Sequence, residues 1–191
     1  MLTGIGRRMA SHRPRIWSGD DKVPAAVAAI LCEQAGQACL LFIERAEFAG
    51  DPWSGHIAFP GGRLEPDDGQ ARAAAERETL EEVGLDLSVA TYLGRLDDLT
   101  GEALPVAVAG FVYRVELPAV LQLSSEVSQA FWVPLIRLVE PARQVEHTCS
   151  ADGGAGVSPA IDLLGPGRPL LWGITYRFVA QLLRFAAWEG A

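Results

Sequence analysis

Apolar runs of strand length alternate with turn-forming residues along much of the chain. The runs at 23–32 and 38–45 are separated by the polar, glycine-containing segment 33–37, which predicts a β-hairpin. The runs at 88–96 and 106–115 flank a polar loop and predict two further strands that pair in the sheet. The pattern therefore favours a fold built around a sheet.

Two segments have helical patterns instead. Residues 71–83 are rich in Ala and Glu, lack Gly and Pro, and end at Gly84, where a helix C-cap is expected. Near the end of the chain, segment 173–188 carries apolar residues at helical spacing: Ile174, Phe178, Leu182 and Phe185. Residues 131–134 predict a short strand and 135–139 a small helix. Strands that alternate with one central and one terminal helix indicate an α/β sandwich with a mixed sheet.

Two other segments predict less regular structure. Residues 1–22 hold five of the sixteen basic residues together with Gly and Pro, and we interpret them as a flexible N-terminal arm outside the core, with at most one short helix. Residues 150–169 are rich in Gly and Pro and predict an irregular excursion. Because the sequence contains no repeat and no linker, residues 23–191 are expected to form one domain.

Size and charge narrow the class of protein. The 191 residues suit a single domain, and a hydrophobic content of 49% is enough for a sizeable core. The 24 acidic and 16 basic residues give a formal charge of −8, which argues against a nucleic acid polymer or an anionic membrane as the main partner. No apolar run approaches the roughly 20 residues of a membrane span, and no apolar stretch follows the N-terminal arginines as it would in a secretory signal. A cytoplasmic location is therefore expected.

The helix predicted at 71–83 concentrates negative charge on one side. At 100° per residue, Glu78, Glu81 and Glu82 share an arc of roughly 100°. Leu80 and Val83 fall on the opposite side, which is expected to face the core. Two carboxylates about 5 Å apart repel each other by roughly 3 kcal/mol at an effective dielectric constant of about 20. A hard divalent cation, Mg²⁺ or Mn²⁺, would offset this repulsion, because both ions prefer carboxylate and carbonyl oxygens.

A solvated acidic helix face is the alternative interpretation of these glutamates. The glycines upstream favour the cation site, because Gly61 and Gly62 have no side chains and let the backbone approach an ion or a phosphate closely.

The acidic segment resembles a known motif. The run Arg77-Glu78-Thr79-Leu80-Glu81-Glu82-Val83-Gly84-Leu85 is similar to the second half of the Nudix box, Gly-x5-Glu-x7-Arg-Glu-U-x-Glu-Glu-x-Gly-U, where U is a bulky aliphatic residue. Thr79 stands at the first aliphatic position. Counted from Gly62, Asp68 takes the place of the first Glu, and one additional residue separates it from Arg77.

This resemblance implies the Nudix fold, an α/β/α sandwich with a mixed β-sheet, and hydrolysis of a nucleoside diphosphate linked to another group by a metal-activated water. It implies that Glu81, Glu82 and the Gly62 carbonyl bind the metal. Glu78 would be a further ligand or the base that activates water, and Arg77 would hold the carboxylates in place.

A longer similarity, over about residues 23–188, is to the coenzyme A pyrophosphohydrolase branch of the family. It rests on several collinear segments: Arg45, Gly55-His56-Ile57-Ala58-Phe59-Pro60-Gly61-Gly62, Ser125-Glu126-Val127, Phe131-Trp132-Val133-Pro134-Leu135 and Leu171-Trp172-Gly173-Ile174-Thr175-Tyr176-Arg177. Two positions depart from the branch. Trp53 occupies the first place of its His-x-Gly motif, and Ala46 replaces the serine after Arg45.

Within that branch, coenzyme A or a related nucleotide would be the substrate. Arg45, Trp53, His56 and Gly61 are candidates for contacting this small-molecule diphosphate. Packing is the alternative interpretation of Trp53, and a structural hydrogen-bonding role is that of His56. Glu126 is a candidate ligand or base, with a plain surface residue as the alternative.

Two other classes of function remain open. A nucleotide-binding or regulatory Nudix module would be expected to lose some of its glutamates, whereas Glu78, Glu81 and Glu82 are all present. A diphosphate isomerase on the same fold would need a catalytic cysteine, and Cys32 and Cys39 lie in predicted strands with no motif around them. The resemblance also allows a homodimer, because many members of the family are dimers.

Overall fold

A mixed eight-stranded sheet forms the centre of the computed structural model, which describes residues 1–48, 50, 53–101, 105–116, 120–151 and 154–186. The strands of this sheet are β1 (Val23–Gln34), β2 (Gln37–Arg45), β3 (Ile57–Ala58), β4 (Gly61–Arg63), β5 (Thr91–Arg95), β6 (Leu99–Thr100), β7 (Val106–Arg114) and β8 (Val127–Pro134). The helices are α1 (Leu2–Ala10), α2 (Ala71–Val83) and α3 (Gly173–Phe185). Strands β9 (Gln144–Ala151) and β10 (Gly154–Ile161) form a separate two-stranded sheet.

The predicted hairpin is confirmed. Strands β1 and β2 pair antiparallel, with Cys32 opposite Cys39. The turn between them has positive φ angles at Ala35 (49°) and Gly36 (76°), as expected for a tight turn that matches the twist of the strands. On its other side β1 pairs in parallel with β7, which makes the sheet mixed.

The strand predicted at 88–96 is shorter than expected. It begins as a 3-10 turn at Leu87–Val89, because the Asp86 side chain accepts a hydrogen bond from the Ser88 amide (2.8 Å). Strand β5 then pairs antiparallel with β7, as predicted.

Successive side chains of β1 lie on opposite faces of the sheet, as the two-residue period of a strand requires. Ala26, Ala28 and Ile30 belong to a core that includes apolar residues of α2. Ala29 and Leu31 belong to the opposite core, which includes residues of α1 and α3. The predicted α/β/α sandwich is therefore confirmed, with α2 alone on one face among the described helices.

The prediction that residues 1–22 lie outside the core is wrong. Helix α1 was allowed for, but its side chains Leu2, Ile5 and Met9 are 2%, 0% and 3% exposed. They share one face of α1 and pack in the core against the sheet and α3. The Arg8 Nε also donates a hydrogen bond to the Phe185 carbonyl at the end of α3 (2.6 Å).

The residues that follow α1 are fastened by two aspartates far along the chain. The Asp97 carboxylate accepts hydrogen bonds from the Arg15 amide (3.0 Å) and Nε (2.8 Å) and lies 3.1 Å from the His12 ring nitrogen Nε2. Asp98 accepts a hydrogen bond from the Trp17 amide (2.8 Å). The density of Arg, Gly and Pro in this segment gave no indication of these partners, because they lie 81 and 82 positions away.

The region predicted as an excursion, 150–169, overlaps a second hairpin, formed by β9 and β10, that the sequence pattern did not reveal. Strands β9 and β10 pair antiparallel, with His147 opposite Ser158. The base of this hairpin is fixed to the chain before α3 by two backbone hydrogen bonds between Ile161 and Leu171 (2.8 and 3.0 Å).

Smaller features at the end of the chain agree with the sequence in part. Residues 135–139 form a 3-10 helix, as predicted, whereas the strand before them begins at Val127 and is longer than expected. The final helix was predicted to extend to 188. Helix α3 ends at Phe185, and residues 187–191 lie outside the described residues. No helix in the described part of the chain is long and apolar enough to cross a bilayer.

Truncating a core side chain of α1 should destabilise the whole domain. For Ile5→Ala we expect a loss of about 2–5 kcal/mol in the free energy of unfolding, because the side chain is fully buried. Thr3→Ala, at an exposed position of the same helix, is the matched control and should change stability by less than about 0.5 kcal/mol. Urea denaturation measures both. Equal stabilities of the two variants would show that α1 is not part of the core.

Candidate active site

A close approach between α2 and the glycine strand β4 builds the candidate site. Strand β4 pairs with β1, placing Gly62 opposite Ala26. Gly61 has a φ of 149°, and a β-carbon there would collide with the backbone of Ala26. A β-carbon at Gly62 would overlap the carboxylate of Glu78. Glycine is therefore required at position 61, whereas a side chain at position 62 would displace the Glu78 carboxylate, which rests directly against the backbone of β4.

The buried side of α2 differs from the one expected. Leu80 was predicted to face the core and is instead 51% exposed, whereas Glu82 is only 2% exposed. The buried side is formed by small residues together with this glutamate: Ala74, Ala75, Thr79, Glu82 and Val83. Alanines allow the helix to approach the sheet closely, so they determine which side of α2 faces the core. Leu80, the single leucine of the helix, does not.

Thr79 fits the buried position that the Nudix box gives to an aliphatic residue. Its side chain is 0% exposed, and its hydroxyl donates a hydrogen bond to the Ala75 carbonyl one turn earlier (2.7 Å). Because the hydroxyl is satisfied within the helix, the substitution leaves no unpaired polar group in the core.

Glu82 is the most enclosed carboxylate of the site. Its Oε2 accepts a hydrogen bond from the Gly61 amide (2.9 Å), and its Oε1 lies 3.8 Å from the Arg45 Nη1. Burial raises the pKa of Glu82 to about 7, although the Gly61 amide and the Arg45 charge act in the opposite direction. Glu78 and Glu126 add to the rise as neighbouring negative charges.

Arg77 holds two of the carboxylates, as the resemblance implied. Its Nη1 donates to Glu78 (3.0 Å) and to Glu81 (3.2 Å), and its Nη2 donates to the Arg63 carbonyl (3.3 Å). Glu81 remains 59% exposed, so its side chain has room to move away from the guanidinium.

Asp68 orients Arg77 and was not among the predicted site residues. The Arg77 Nε and Nη2 donate to the two oxygens of this carboxylate at 2.9 and 3.0 Å. These hydrogen bonds lower the pKa of Asp68 below its usual range. The signal was present in the sequence, since Asp68 occupies the place of the first Glu in the Nudix box.

Glu78 and Glu126 come together although 48 positions separate them. Burial is the main cause that raises the pKa of Glu78, and the charges of Glu81 and Glu126 raise it further, whereas Arg77 lowers it. Glu126 is an exposed residue just before β8, and its carbonyl accepts a hydrogen bond from the Ala46 amide (2.8 Å) at the end of β2. The structure thus places the predicted Glu126 within electrostatic reach of the acidic side of α2.

The carboxylates have the chemistry of a metal site without forming a closed cage. Among the described residues, no three Asp, Glu, His or Cys side chains already converge around a common point. The donors are all oxygens, and neighbouring negative charges raise the pKa values of Glu78 and Glu82. These are properties that suit a hard divalent cation. Glu78, Glu81, Glu82 and the Gly62 carbonyl could hold it.

The remaining predicted contacts lie on the loop beside Arg45. The Arg45 amide donates to the His56 carbonyl (3.0 Å), and the Gly55 amide donates to the Arg45 carbonyl (3.1 Å). The His56 amide donates to the Trp53 carbonyl (3.1 Å), which closes the turn. The His56 ring packs against Trp172, with ring centroids 5.2 Å apart. The sequence patterns did not single out Trp172 as part of this region.

A polar network on the other flank of α2 ties the helix to the sheet. One oxygen of Glu76, Oε1, accepts hydrogen bonds from the Arg72 Nε (2.9 Å) and the Tyr113 hydroxyl (2.8 Å). The Arg72 guanidinium also lies over the Tyr92 ring, 4.4 Å from its centre. Burial raises the pKa of Tyr113, so its hydroxyl remains a donor. Because Tyr113 belongs to β7, the network ties α2 to the sheet.

Comparison with known proteins identifies relatives with the same domain. Residues 22–150 match the family described as NUDIX domain. The mitochondrial coenzyme A diphosphatase NUDT8 of Mus musculus is 31% identical over 169 residues, which cover 86% of this chain and 79% of that protein. An uncharacterized protein of Schizosaccharomyces pombe is 32% identical over 75% of this chain, and the match spans only 51% of its own length.

Solved structures show the same fold. An Ap4A hydrolase of C. elegans in a binary complex is 25% identical, with a TM-score of 0.50, over 60% of this chain and 81% of that one. A MutT/nudix family protein from Enterococcus faecalis has a TM-score of 0.58 over 96% of this chain and 68% of that one. At 14% identity the second similarity shows the fold alone.

Burial of Glu82 should make the stability of the metal-free protein depend on pH. Its pKa is raised from 4.5 to about 7 in the fold, so between these values the folded state keeps a proton that the unfolded state releases. The free energy of unfolding therefore falls as the pH rises through this range. Glu82→Gln removes this contribution and should gain about 3 kcal/mol relative to the wild type between pH 4 and pH 8.

Urea denaturation in the presence of a chelator measures this difference. Glu81→Gln, on the exposed side of the same helix, controls for the loss of one carboxylate from α2. A stability difference between Glu82→Gln and the wild type that is the same at every pH would contradict the prediction.

Loss of Asp68 should loosen Glu78 and Glu81, the two carboxylates that Arg77 holds. For Asp68→Asn we expect Mn²⁺ affinity to fall about 10- to 100-fold, as is typical when a group that orients metal ligands is removed. Asp67→Asn removes the neighbouring, exposed carboxylate and should leave the affinity unchanged. Calorimetric titration with Mn²⁺ distinguishes them, and equal affinities would show that Asp68 does not position the site.

Proposed function

Since this chain belongs to the Nudix family of hydrolases, we propose that it is a divalent-cation-dependent pyrophosphohydrolase whose substrate is coenzyme A or a related adenine nucleotide. The observation that carries the proposal is that Glu78 packs against the glycine strand β4 and that the buried Glu82 accepts a hydrogen bond from it. Such a concentration of buried negative charge is unfavourable unless a cation offsets it.

We assign the cation to Glu78, Glu81, Glu82 and the Gly62 carbonyl. When bound, Mg²⁺ or Mn²⁺ would lower the pKa of a coordinated water and offset the charge that develops on the diphosphate. Arg77 neutralises part of the same charge in its absence, since its Nη1 lies between Glu78 and Glu81.

Glu78 is the first choice for the base that takes the proton from water. Its carboxylate rests against Gly62, and burial raises its pKa towards the range in which a carboxylate is an effective base at neutral pH. Glu126 is the second choice, because it faces the same carboxylates from a separate loop.

Arg45 lies where it can bind the diphosphate. Its guanidinium is 24% exposed and 3.8 Å from Glu82, so it borders the acidic cluster without being enclosed by it. A guanidinium suits phosphate oxygens, because its donors form a planar fork. The Gly61 amide donates to Glu82, the same carboxylate that Arg45 borders, which supports a role for this backbone in contacting the diphosphate.

The choice of coenzyme A rests on the relatives. The mouse and human proteins named coenzyme A diphosphatase are 31% and 32% identical over 86% and 83% of this chain. The two departures from that branch, Ala46 and Trp53, lie on the loop that follows Arg45. They border the region where the non-reacting part of the substrate would bind, so a related nucleotide is included in the proposal.

The cysteines do not support the isomerase alternative. Cys32 and Cys39 lie opposite each other in the first hairpin, are 0% and 2% exposed, and pack in the core beside α2. Burial raises the pKa of Cys32 to about 12. A catalytic thiol requires the opposite environment, an accessible site that lowers its pKa.

Replacing one of the proposed ligands should abolish most of the activity without unfolding the protein. We expect Glu82→Gln and Glu81→Gln to reduce kcat about a hundredfold or more, because a catalytic cation contributes several kcal/mol to the transition state. Asp67→Asn is the control for the loss of one carboxylate nearby. Full activity of either Gln variant, or of the wild type in excess chelator, would refute the proposed metal site.

A substrate panel tests the remaining part of the proposal. Coenzyme A, ADP-ribose, NADH, diadenosine polyphosphates and nucleoside triphosphates should be compared by kcat/KM with Mg²⁺ and with Mn²⁺. We expect coenzyme A to give the highest value, and its two product fragments to carry one phosphoryl group each from the cleaved diphosphate. A preference for another nucleotide would correct the substrate, and no cleavage of any compound would favour a binding module.

A further inference from the structure

Two histidines from separate segments flank Trp172 at the start of α3. The His147 ring, on β9, lies 4.4 Å from the Trp172 ring, and the His56 ring lies 5.2 Å from it, measured between centroids. All three side chains are partly exposed. We call this group the Trp172 cluster: Trp172, His56 and His147.

The Trp172 cluster adjoins the candidate active site. His56 accepts a hydrogen bond from the amide of Arg45 at the end of β2, and the Arg45 guanidinium lies 3.8 Å from Glu82. A single residue, Arg45, therefore connects the buried carboxylate with the loop that carries one ring of the cluster.

Packing alone does not account for these rings. The β9–β10 hairpin is already fixed at its base by Ile161 and Leu171, which exchange two backbone hydrogen bonds and are 1% and 0% exposed. His147 lies three residues beyond Gln144, the partner of Ile161 at that base. Rings needed only for anchoring would be expected in the buried part, whereas those of the Trp172 cluster remain partly accessible.

A flat, uncharged ring is the ligand that such a surface suits. Aromatic side chains bind nucleobases by stacking, which tolerates different bases and requires an exposed face. The anionic part of a nucleotide would lie at Arg45, away from the rings, and the base would extend towards Trp172. We propose that the Trp172 cluster is the nucleobase subsite of this enzyme and binds purines more tightly than pyrimidines, because the larger ring stacks over more area. This inference rests on the proposed function for the identity of the substrate.

Binding of AMP to the metal-free protein tests the subsite without requiring hydrolysis. We expect Trp172→Ala to weaken AMP binding about tenfold, and Trp172→Phe, which keeps a flat ring, to stay within about threefold of the wild type. Trp17→Ala removes a 40%-exposed tryptophan of the N-terminal segment and is the matched control. Calorimetric titration gives the dissociation constants, and thermal unfolding shows whether each variant is folded.

A kinetic comparison gives the second readout. With an adenine-bearing substrate, Trp172→Ala should raise KM about tenfold and leave kcat within about threefold, because stacking contributes to the ground state and the transition state alike. The KM for a uracil-bearing substrate such as UDP-glucose should rise less, since the smaller ring stacks over less area. A purely structural role would lower stability and change the kinetics of both substrates equally.

The outcomes separate this inference from the proposed function. Failure of the wild type to bind AMP, or unchanged AMP affinity in folded Trp172→Ala, would overturn the subsite. If Trp172→Ala does not fold, His147→Ala decides the question: weaker AMP binding supports the subsite and unchanged binding overturns it. If AMP binding depends on Trp172 and no substrate is cleaved, the subsite stands and the proposed hydrolase activity fails.

Discussion

Burial of the Glu82 carboxylate is the constraint on which the rest of the site depends. A charge that is almost completely removed from water needs compensation, and the Gly61 amide and the Arg45 guanidinium supply only part of it. The amide can reach Glu82 because β4 runs close to α2, and Gly61 leaves no room for a side chain against the backbone of β1. The alanine-rich side of α2 and the Arg72–Glu76–Tyr113 network then hold the helix at this distance.

Local patterns made α2 and its charge predictable, but not its rotation. The length of the helix and its end at Gly84, where φ is 68°, follow from neighbouring residues. Which side is buried depends on what the helix packs against. Helical spacing treats Leu80 as a core residue and Glu82 as a surface residue, whereas the approach of β4 reverses their burial.

The elements that the sequence did not reveal depend on distant partners. The attachment of residues 11–17 relies on Asp97 and Asp98, and the Trp172 cluster joins three segments that are far apart in the chain. The β9–β10 hairpin contains Gly and Pro in its second strand, so its composition resembles a loop although its backbone is paired. In contrast, the contacts of Arg77 follow from the motif itself, because its partners are near in sequence. Asp68 lies nine residues before Arg77, and Glu81 lies one helix turn after it.

Helices cover both faces of the sheet, and this limits where the chain can be truncated without exposing its core. The region that matches the family, 22–150, ends within β9 and contains neither α1 nor α3. Those two helices supply the layer that covers one face of the sheet, including the apolar side chains Ile5 and Phe178. A fragment limited to the matched region would keep all the acidic residues of the box and expose that face to water. The family match thus marks the part of the chain that carries the acidic residues, whereas the cooperative folding unit extends beyond it in both directions.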